Sequence, residues 1–464
     1  MEENTFDMIV IGAGPGGYVS AIRGAQLGLK VVIVEREHMG GICLNWGCIP
    51  TKAMLRSSEV FHLIKNSKDF GIEADSIKYD LKAVVSRSRE IGSKLSTGIG
   101  HLLKKNKITS ILGEARLIGK GQVEVLTKGE KVQLYSKNIV LATGARAREL
   151  KGFEADGKNI WTYKHALTPK EIPKKLLIIG SGAIGMEFAS FYNTLGSDTT
   201  IIEVLDQILP AEDRDVSSFV KKQFEKQGIK IFDNSKAMGL KREKGGFNVE
   251  INTSGKINHI ACDTIISAVG IVGNIEDLGF DALKVEVKDS HVVVDEFCKT
   301  NIEGIFAIGD LAGAPWLAHK ASHEGVMVAE IIAGKSPHPI NYRDIAGCTY
   351  CYPQIASVGI TEEEAKKNGR EIKVGRFPFI ANGKALALGE HEGMIKTIFD
   401  SKSGELIGAH MVGPEVTELI QGYIIGRKLE TTEEDLINTI FPHPTLSESM
   451  HESVLNAFDR AIHI

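Results

Sequence analysis

Met8-Ile9-Val10-Ile11-Gly12-Ala13-Gly14-Pro15-Gly16-Gly17 is a short apolar run followed by a glycine cluster, and its spacing decides the fold. Four apolar residues read as a buried strand. The turn Gly12-x-Gly14-x-x-Gly17 then opens a helical stretch that runs to Leu27 and is stopped by Gly28. Lys30-Val31-Val32-Ile33-Val34-Glu35 is the next strand. This order of strand, glycine turn, helix and strand is a βαβ start of the dinucleotide-binding kind. Its glycines permit a tight turn, close approach of backbone to a pyrophosphate and close helix–strand packing, while the helix N-terminus faces the phosphates.

Residues 176–203 repeat the layout. Leu176 to Ile179 reads as a strand, followed by Gly180-Ser181-Gly182-Ala183-Ile184-Gly185, a helix to Leu195, Gly196, and a strand from Thr199 to Glu203. In both copies an acid, Glu35 or Glu203, lies 23 positions after the first glycine, where it can accept a hydrogen bond from a ribose hydroxyl. One such turn would be a weak signal. Two in the same context, with matching acids, predict two dinucleotide sites.

A chain of 464 residues is too long for one ordinary core and implies about three domains. Short strand runs lie at Ile139 to Gly144, Thr264 to Gly270 and Ile305 to Asp310. A helix is expected from Ala318 to Ala333, with a linker at Lys335 to Pro339. From about Asn341 the pattern changes to antiparallel strands with helices. The expected fold is therefore α/β, with two Rossmann-like dinucleotide-binding domains and a C-terminal α+β interface domain. The expected boundaries are 1–149 for the first domain, 150–271 for the second, 272–340 for the return to the first, and 341–464 for the interface domain.

Composition narrows the classes. A content of 43% hydrophobic and 25% charged residues is that of a globular protein. A net charge of −4 without a basic block argues against nucleic acid. No apolar run reaches the ~18 residues that span a bilayer. The acidic start, Met1 to Asp7, has neither a secretory nor a transit-peptide pattern, which reads as a cytoplasmic protein. Six cysteines in this length are no disulfide scaffold, and in a reducing compartment a close pair points to catalysis or metal binding.

Such a pair stands in Gly40-Gly41-Ile42-Cys43-Leu44-Asn45-Trp46-Gly47-Cys48-Ile49-Pro50-Thr51-Lys52. Five positions along a regular helix rise ~7.5 Å, beyond the ~4.4–6.8 Å Cα separation of a disulfide. The two sulfurs can bridge only where the chain departs from a regular helix. Gly47 permits an irregular turn, and Pro50 is tolerated only in the first turn of a helix, so a helix is expected to begin near Cys48. A thiol at that positive terminus ionises more readily. Two core cysteines, or part of a metal site, are the competing readings; neither accounts for the Gly/Pro framing beside a dinucleotide fold. Cys348-Thr349-Tyr350-Cys351 is a second close pair, expected to be structural, and Cys262 and Cys298 read as small core residues in strands.

His443 stands between Pro442 and Pro444, with Glu448 five residues later. A dithiol must lose a proton before attacking a disulfide, and histidine is the natural base near neutral pH. A carboxylate on its other ring nitrogen would fix the tautomer. Taken alone, one of 14 histidines is more often structural.

The segment from Cys43 to Lys52 resembles the redox-active signature of the class I pyridine nucleotide-disulfide oxidoreductases, and its Cys-Leu-Asn-x-Gly-Cys-Ile-Pro form resembles the dihydrolipoyl dehydrogenases among them. The resemblance runs over essentially the whole chain. It takes in both glycine turns, Ala142-Thr143-Gly144, Phe306 to Asp310, and His443-Pro444-Thr445-Leu446-Ser447-Glu448. It implies oxidation of protein-bound dihydrolipoamide through a Cys43–Cys48 disulfide and FAD, with reduction of NAD. Cys48 would face the flavin and Cys43 the substrate; Lys52 would sit near the flavin and pair with Glu187; His443 and Glu448 would serve as base and orienter. FAD would be held by Gly12, Gly14, Gly17, Glu35, Lys52, Ala115, Thr143, Gly144, Asp310 and Ala318. NAD would be held by Gly180, Gly182, Gly185, Glu203, Ala237 and Gly270. No metal is implied. The base would reach the cysteines of a second subunit in a homodimer, and the partner would be a lipoyl-bearing acyltransferase or carrier protein of a 2-oxo acid dehydrogenase or glycine-cleavage complex.

Glu203 favours NAD over NADP, since the next arginine is Arg214. Phe441 and Pro442 depart from the family, where many members carry a histidine and an alanine, and Ala183 stands where some carry an aromatic gate. The alternatives are another FAD/NAD(P)H disulfide reductase, such as a glutathione-type enzyme, or a non-catalytic flavin-binding subunit.

Overall fold

The structure, a computed structural model, describes residues 4–464. Strand β1 (Met8–Ile11), helix α1 (Pro15–Gln26) and strand β2 (Val31–Glu35) form the first βαβ start. The short helix α2 (Gly41–Asn45) and the long helices α3 (Cys48–Lys65) and α4 (Leu81–Lys105) follow. The second βαβ start is strand β3 (Lys175–Ile179), helix α5 (Ala183–Thr194) and strand β4 (Asp198–Ile202), and helix α6 (Arg214–Lys226) comes next. Helix α7 (Ala318–Ile332) lies in the return segment, and helix α8 (Glu448–Ala457) lies near the C-terminus.

The chain divides into two compact units. One comprises the residues up to Ala53, Val85–Arg148 and Gly270–Tyr342; the other comprises Met54–Val84, Glu149–Val269 and Arg343–Ile464. The second dinucleotide fold and the C-terminal region thus belong to one unit, together with most of α3.

In the first unit a five-stranded parallel sheet runs in the order 305–307, 139–141, β1, β2, 109–112. Met8 pairs with Val31, and Ile9 with both Val32 and Ile139. Successive side chains of a strand point to opposite faces, and the sheet is buried on both. Met8, Val10, Val31 and Ile33 pack with Met327 and Val328 of α7. Ile9, Ile11, Val32 and Val34 face a core shared with Leu117, Val123 and Val125. That second core is covered by a three-stranded antiparallel meander over residues 114–135. Helices α1 and α7 cross through small residues, since a Cβ on Gly325 would lie 2.5 Å from the Gly16 carbonyl oxygen.

The other unit repeats this plan. Its five-stranded sheet runs 230–232, β4, β3, 264–267, 160–161, and a meander over 235–262 accompanies it. A third layer is the antiparallel sheet 347–349, 354–359, 406–413, 394–400, 372–378, whose core includes Val416, Ile420 and Tyr423 from helix 416–428 and Met450 and Val454 from α8. Among the described residues no helix is long and apolar enough to cross a membrane.

One expectation about cysteines changes. Cys298 is not in a strand; it sits in a bend with φ of 61°, fully buried. Cys348 packs on the core of the antiparallel sheet, and Cys351 belongs to the core around Trp161 and Tyr192, packing that accords with a structural role.

Candidate active site

Each glycine of the two turns has its own physical reason. Gly12 has φ of 99° and Gly180 of 101°, a region that glycine enters without a Cβ penalty. A Cβ there would also sit 2.3 Å from the Ala142 oxygen or 2.4 Å from the Ala268 oxygen. A Cβ on Gly17 would lie 1.9 Å from the Gly12 oxygen, and one on Gly185 would lie 2.1 Å from the Gly180 oxygen. These four glycines are required by the protein itself. The middle ones differ: a Cβ on Gly14 or Gly182 would meet nothing within 4 Å. Space kept clear in front of a helix N-terminus is what a pyrophosphate needs, so both turns fit a dinucleotide.

The two acids close the turns. Glu35 accepts from the Ala13 N–H at 2.7 Å and the Glu37 N–H at 2.8 Å. Glu203 accepts from the Ser181 N–H at 3.0 Å, the Ser181 hydroxyl at 2.6 Å and the Leu205 N–H at 3.0 Å. Each carboxylate is buried yet keeps lone pairs for a ribose hydroxyl. Arg214 is engaged with Asp206 at 2.9 Å.

Around the first turn, the Gly113 N–H donates to the Glu35 carbonyl at 2.8 Å, which sets Ala115 on the adjoining meander strand. Thr143 and Asn274 exchange two hydrogen bonds of 2.9 Å, and the Asn274 N–H reaches the Gly144 carbonyl at 2.9 Å. Burial pushes the Asp310 carboxyl up, against the pull of Lys320. Ala318 is the first residue of α7. In the other unit the Ser235 N–H donates to the Glu203 carbonyl, and Ala237 follows on that strand. Gly270 lies instead in the first unit, where it accepts from the Arg148 N–H at 2.9 Å.

The cysteine segment is tied to the first turn. The Gly40 N–H donates to the Ala13 carbonyl at 2.8 Å, and a Cβ on Gly41 would lie 2.7 Å from the Gly14 Cα. Cys43 is in α2 and Cys48 is the first residue of α3. Between them Trp46 adopts φ of −141° and ψ of 16°, so the irregular corner falls on Trp46. Gly47 is not left-handed; a Cβ there would press Ile42 at 3.2 Å. The Thr51 hydroxyl and N–H both donate to the Gly47 carbonyl, at 2.7 and 3.1 Å, and start α3. Cys43 and Cys48 are present as thiols that hydrogen-bond each other. That bond and burial push the Cys43 thiol up, and the Lys52 ammonium opposes them.

Glu187 is not an exposed helix charge. It is buried in α5 and accepts from the Tyr350 N–H at 2.9 Å. Lys52 is half-buried.

His443 presents a side chain that is 77% exposed, and its Nδ1 lies 2.8 Å from Glu448 Oε1. The other Glu448 oxygen accepts from the Thr445 N–H at 2.9 Å. Burial raises the Glu448 carboxyl, but the Thr445 and His443 bonds outweigh it and hold it below the ordinary range. Phe441 stacks on His451 at 5.1 Å, which packs the segment before the histidine onto α8. Asn382 Nδ2 donates to the Thr445 carbonyl at 3.0 Å from the other side.

Several residues escaped the sequence reading. Tyr18 lies close enough to Cys43 that burial and the Cys43 charge push its phenol up. Lys320 and Glu324 are a buried pair behind the Asp310 loop: Lys320 donates to the Gly309 and Gly313 carbonyls at 2.9 Å, and Glu324 accepts from the Gly309 N–H and the Tyr342 hydroxyl at 2.7 Å. Their i,i+4 spacing would have been the signal, but it reads equally as a surface pair.

Residues 6–325 match the family described as pyridine nucleotide-disulphide oxidoreductase, and residues 345–454 match its dimerisation domain. Among curated relatives, the dihydrolipoyl dehydrogenases of Rhizobium etli and Zymomonas mobilis are each 54% identical, with 99% of both chains covered. The mitochondrial dihydrolipoyl dehydrogenase of Pisum sativum is 37% identical, covering 99% of this chain and 92% of its own. Among solved structures, LpdA from Mycobacterium tuberculosis superposes with a TM-score of 0.90 at 25% identity, covering 96% of this chain and 98% of its own. The HOCl-induced flavoprotein disulfide reductase RclA from Escherichia coli gives 0.85 at 25%, covering 97% and 99%. The C-terminal match makes the working unit a homodimer. Two glycine turns that fit a dinucleotide, a facing cysteine pair and likeness over the full length have one common account: the chain belongs to the pyridine nucleotide-disulphide oxidoreductase family, in its dihydrolipoyl dehydrogenase branch.

Proposed function

We propose that this chain oxidises a dihydrolipoyl group to its cyclic disulfide and passes the two electrons to NAD, with Cys43 and Cys48 as the working pair. The observation that carries the reading is the pair itself: two hydrogen-bonded sulfurs at the start of α3, on a segment packed against Gly14 of the first pyrophosphate turn. The cofactors are FAD at the first turn and NAD at the second. When bound, FAD carries the electron pair between sulfur and nicotinamide.

The chain's own residues handle sulfur and protons. A substrate thiolate attacks Cys43, and the Cys43–Cys48 bond breaks with Cys48 leaving as thiolate. The second substrate sulfur then attacks the first, which closes the substrate disulfide and releases Cys43. The place of Cys48 as first residue of α3 supports this order, because a helix N-terminus stabilises a thiolate there. Lys52, one turn into α3, supplies a nearby cation. His443 takes the substrate proton, held in one tautomer by Glu448. Its outward side chain suits service to the partner subunit's cysteines. Net change is two electrons and one proton to NAD, and one proton to solvent. The lipoyl group arrives on a separate acyltransferase or carrier protein, and the setting is cytoplasmic.

Steady-state turnover tests the reading. Dihydrolipoamide with NAD is the expected substrate pair; Cys43→Ser abolishes turnover, and His443→Gln lowers kcat by about 10²–10⁴. Reduction of glutathione disulfide without lipoamide turnover overturns it.

A further inference from the structure

We infer that Arg89, on α4, is a positioning residue for the Cys43–Cys48 pair, acting through the corner at Trp46. The inference rests on the reading of that pair as the redox centre. Two cysteines five positions apart meet only because the chain bends between α2 and α3. That bend exposes a problem: the last carbonyls of a helix have no partners within it. In α2 the affected carbonyls are those of the residues next to the corner.

Helix α4 resolves this from 44 residues away. Arg89 Nη1 donates to the Asn45 carbonyl at 2.5 Å, and its guanidinium lies 4.1 Å from the centroid of the Trp46 ring. One turn on, Gly92 lets the backbone of α4 approach; a Cβ there would be 2.7 Å from the Leu44 oxygen. Beyond the corner, Ser88 Oγ donates to the Pro50 carbonyl at 2.9 Å and Arg87 Nη1 to the Ala53 carbonyl at 2.8 Å. Before it, Ser96 Oγ donates to the Met39 carbonyl at 2.7 Å. One helix therefore grips the cysteine segment on both sides of its bend, and Arg89 touches both the corner ring and the carbonyl before it.

A planar guanidinium can stack on an indole and donate in its own plane at once, whereas an ammonium cannot reproduce that geometry. A held corner keeps the two sulfurs facing each other, which favours disulfide over dithiol. Releasing it shifts that equilibrium toward the dithiol and makes the disulfide easier to reduce.

The test is the dithiol–disulfide equilibrium of the flavin-loaded dimer in dithiothreitol redox buffers, read by thiol trapping and mass spectrometry of the Cys43–Cys48 peptide. Arg89→Gln is expected to shift it toward dithiol by about tenfold, which is about 30 mV for a two-electron couple. Arg89→Lys falls between that variant and wild type. Trp46→Leu matches Arg89→Gln, and the double variant shifts no further, because both act at one contact. If Arg89→Gln does not fold, Arg89→Lys and Trp46→Leu carry the same comparison. A wild-type equilibrium in these variants, or additive shifts, overturns the inference. A wild type whose Cys43 and Cys48 form no disulfide overturns the reading of the site itself, and Arg89 with it.

Discussion

The two glycine turns share one backbone and differ in what stands behind it. Gly12, Gly14 and Gly17 match Gly180, Gly182 and Gly185 in conformation and in the contacts that exclude a side chain. Behind the first turn, Ala13 holds Glu35 through its N–H alone, and the Ala13 carbonyl is bound by Gly40 at the head of the cysteine segment. In the second turn, Ser181 holds Glu203 through N–H and hydroxyl. The Ser181 carbonyl is bound by Leu209, and the Glu212 N–H in turn donates to the Leu209 carbonyl. A shared scaffold has been tied once to chemistry and once to a buried acid. A phosphate-binding turn is thus generic, and its specialisation lies one residue further out.

Breaking the turns should separate the cofactors. Gly17→Ala forces a Cβ onto a backbone oxygen and is expected to yield colourless protein, with a stability cost above about 3 kcal/mol. Gly185→Ala should yield yellow protein whose KM for NAD rises by more than about 100-fold, since the same clash falls in the other turn. Flavin absorbance after purification and NAD kinetics decide; flavin retained by Gly17→Ala would break the symmetry argued above.

A smaller effect is expected from the acids. Glu203→Ala should raise KM for NAD by about 10–100-fold, the loss of one or two hydrogen bonds to a charged group, and should narrow the preference over NADP. Smaller again is Ser181→Ala, which makes the second turn chemically like the first; KM for NAD should rise about fivefold, the loss of about 1 kcal/mol. An unchanged KM would mean that the hydroxyl merely fills space.

The buried acid behind the second turn gives a pH prediction. Burial pushes Glu212 up to about 7, although a bond from Ser357 opposes it. A carboxyl raised in the folded state favours the protonated form, so its stabilising contribution is full below an unfolded pKa of about 4.3. It is lost as pH rises through 7. Denaturant titrations from pH 5 to 8 should show wild type losing up to about 3 kcal/mol that Glu212→Gln retains. Parallel profiles would remove Glu212 from the comparison.

Legibility followed sequence distance. The βαβ starts, Glu35, Glu203 and the start of α3 at Cys48 were readable, because each depends on neighbours within a few turns. Pro50 placed that helix start correctly. The corner was assigned to Gly47, yet it falls on Trp46, whose bend is held from α4. Arg87, Ser88 and Arg89 look like an ordinary solvated face until the helix is laid against the cysteine segment. Cys298 was misread because a bend between two short strands leaves no periodicity of its own. Glu187 could be seen as buried only once Tyr350 came to it from the C-terminal region.

The Lys320–Glu324 pair bears on what binding would have to order at the Asp310 loop. Charges sunk behind the Asp310 loop hold Gly309 by both its N–H and its carbonyl, with Tyr342 bracing the glutamate. A loop pinned at both polar groups of one glycine has little freedom left to lose when a cofactor settles against it.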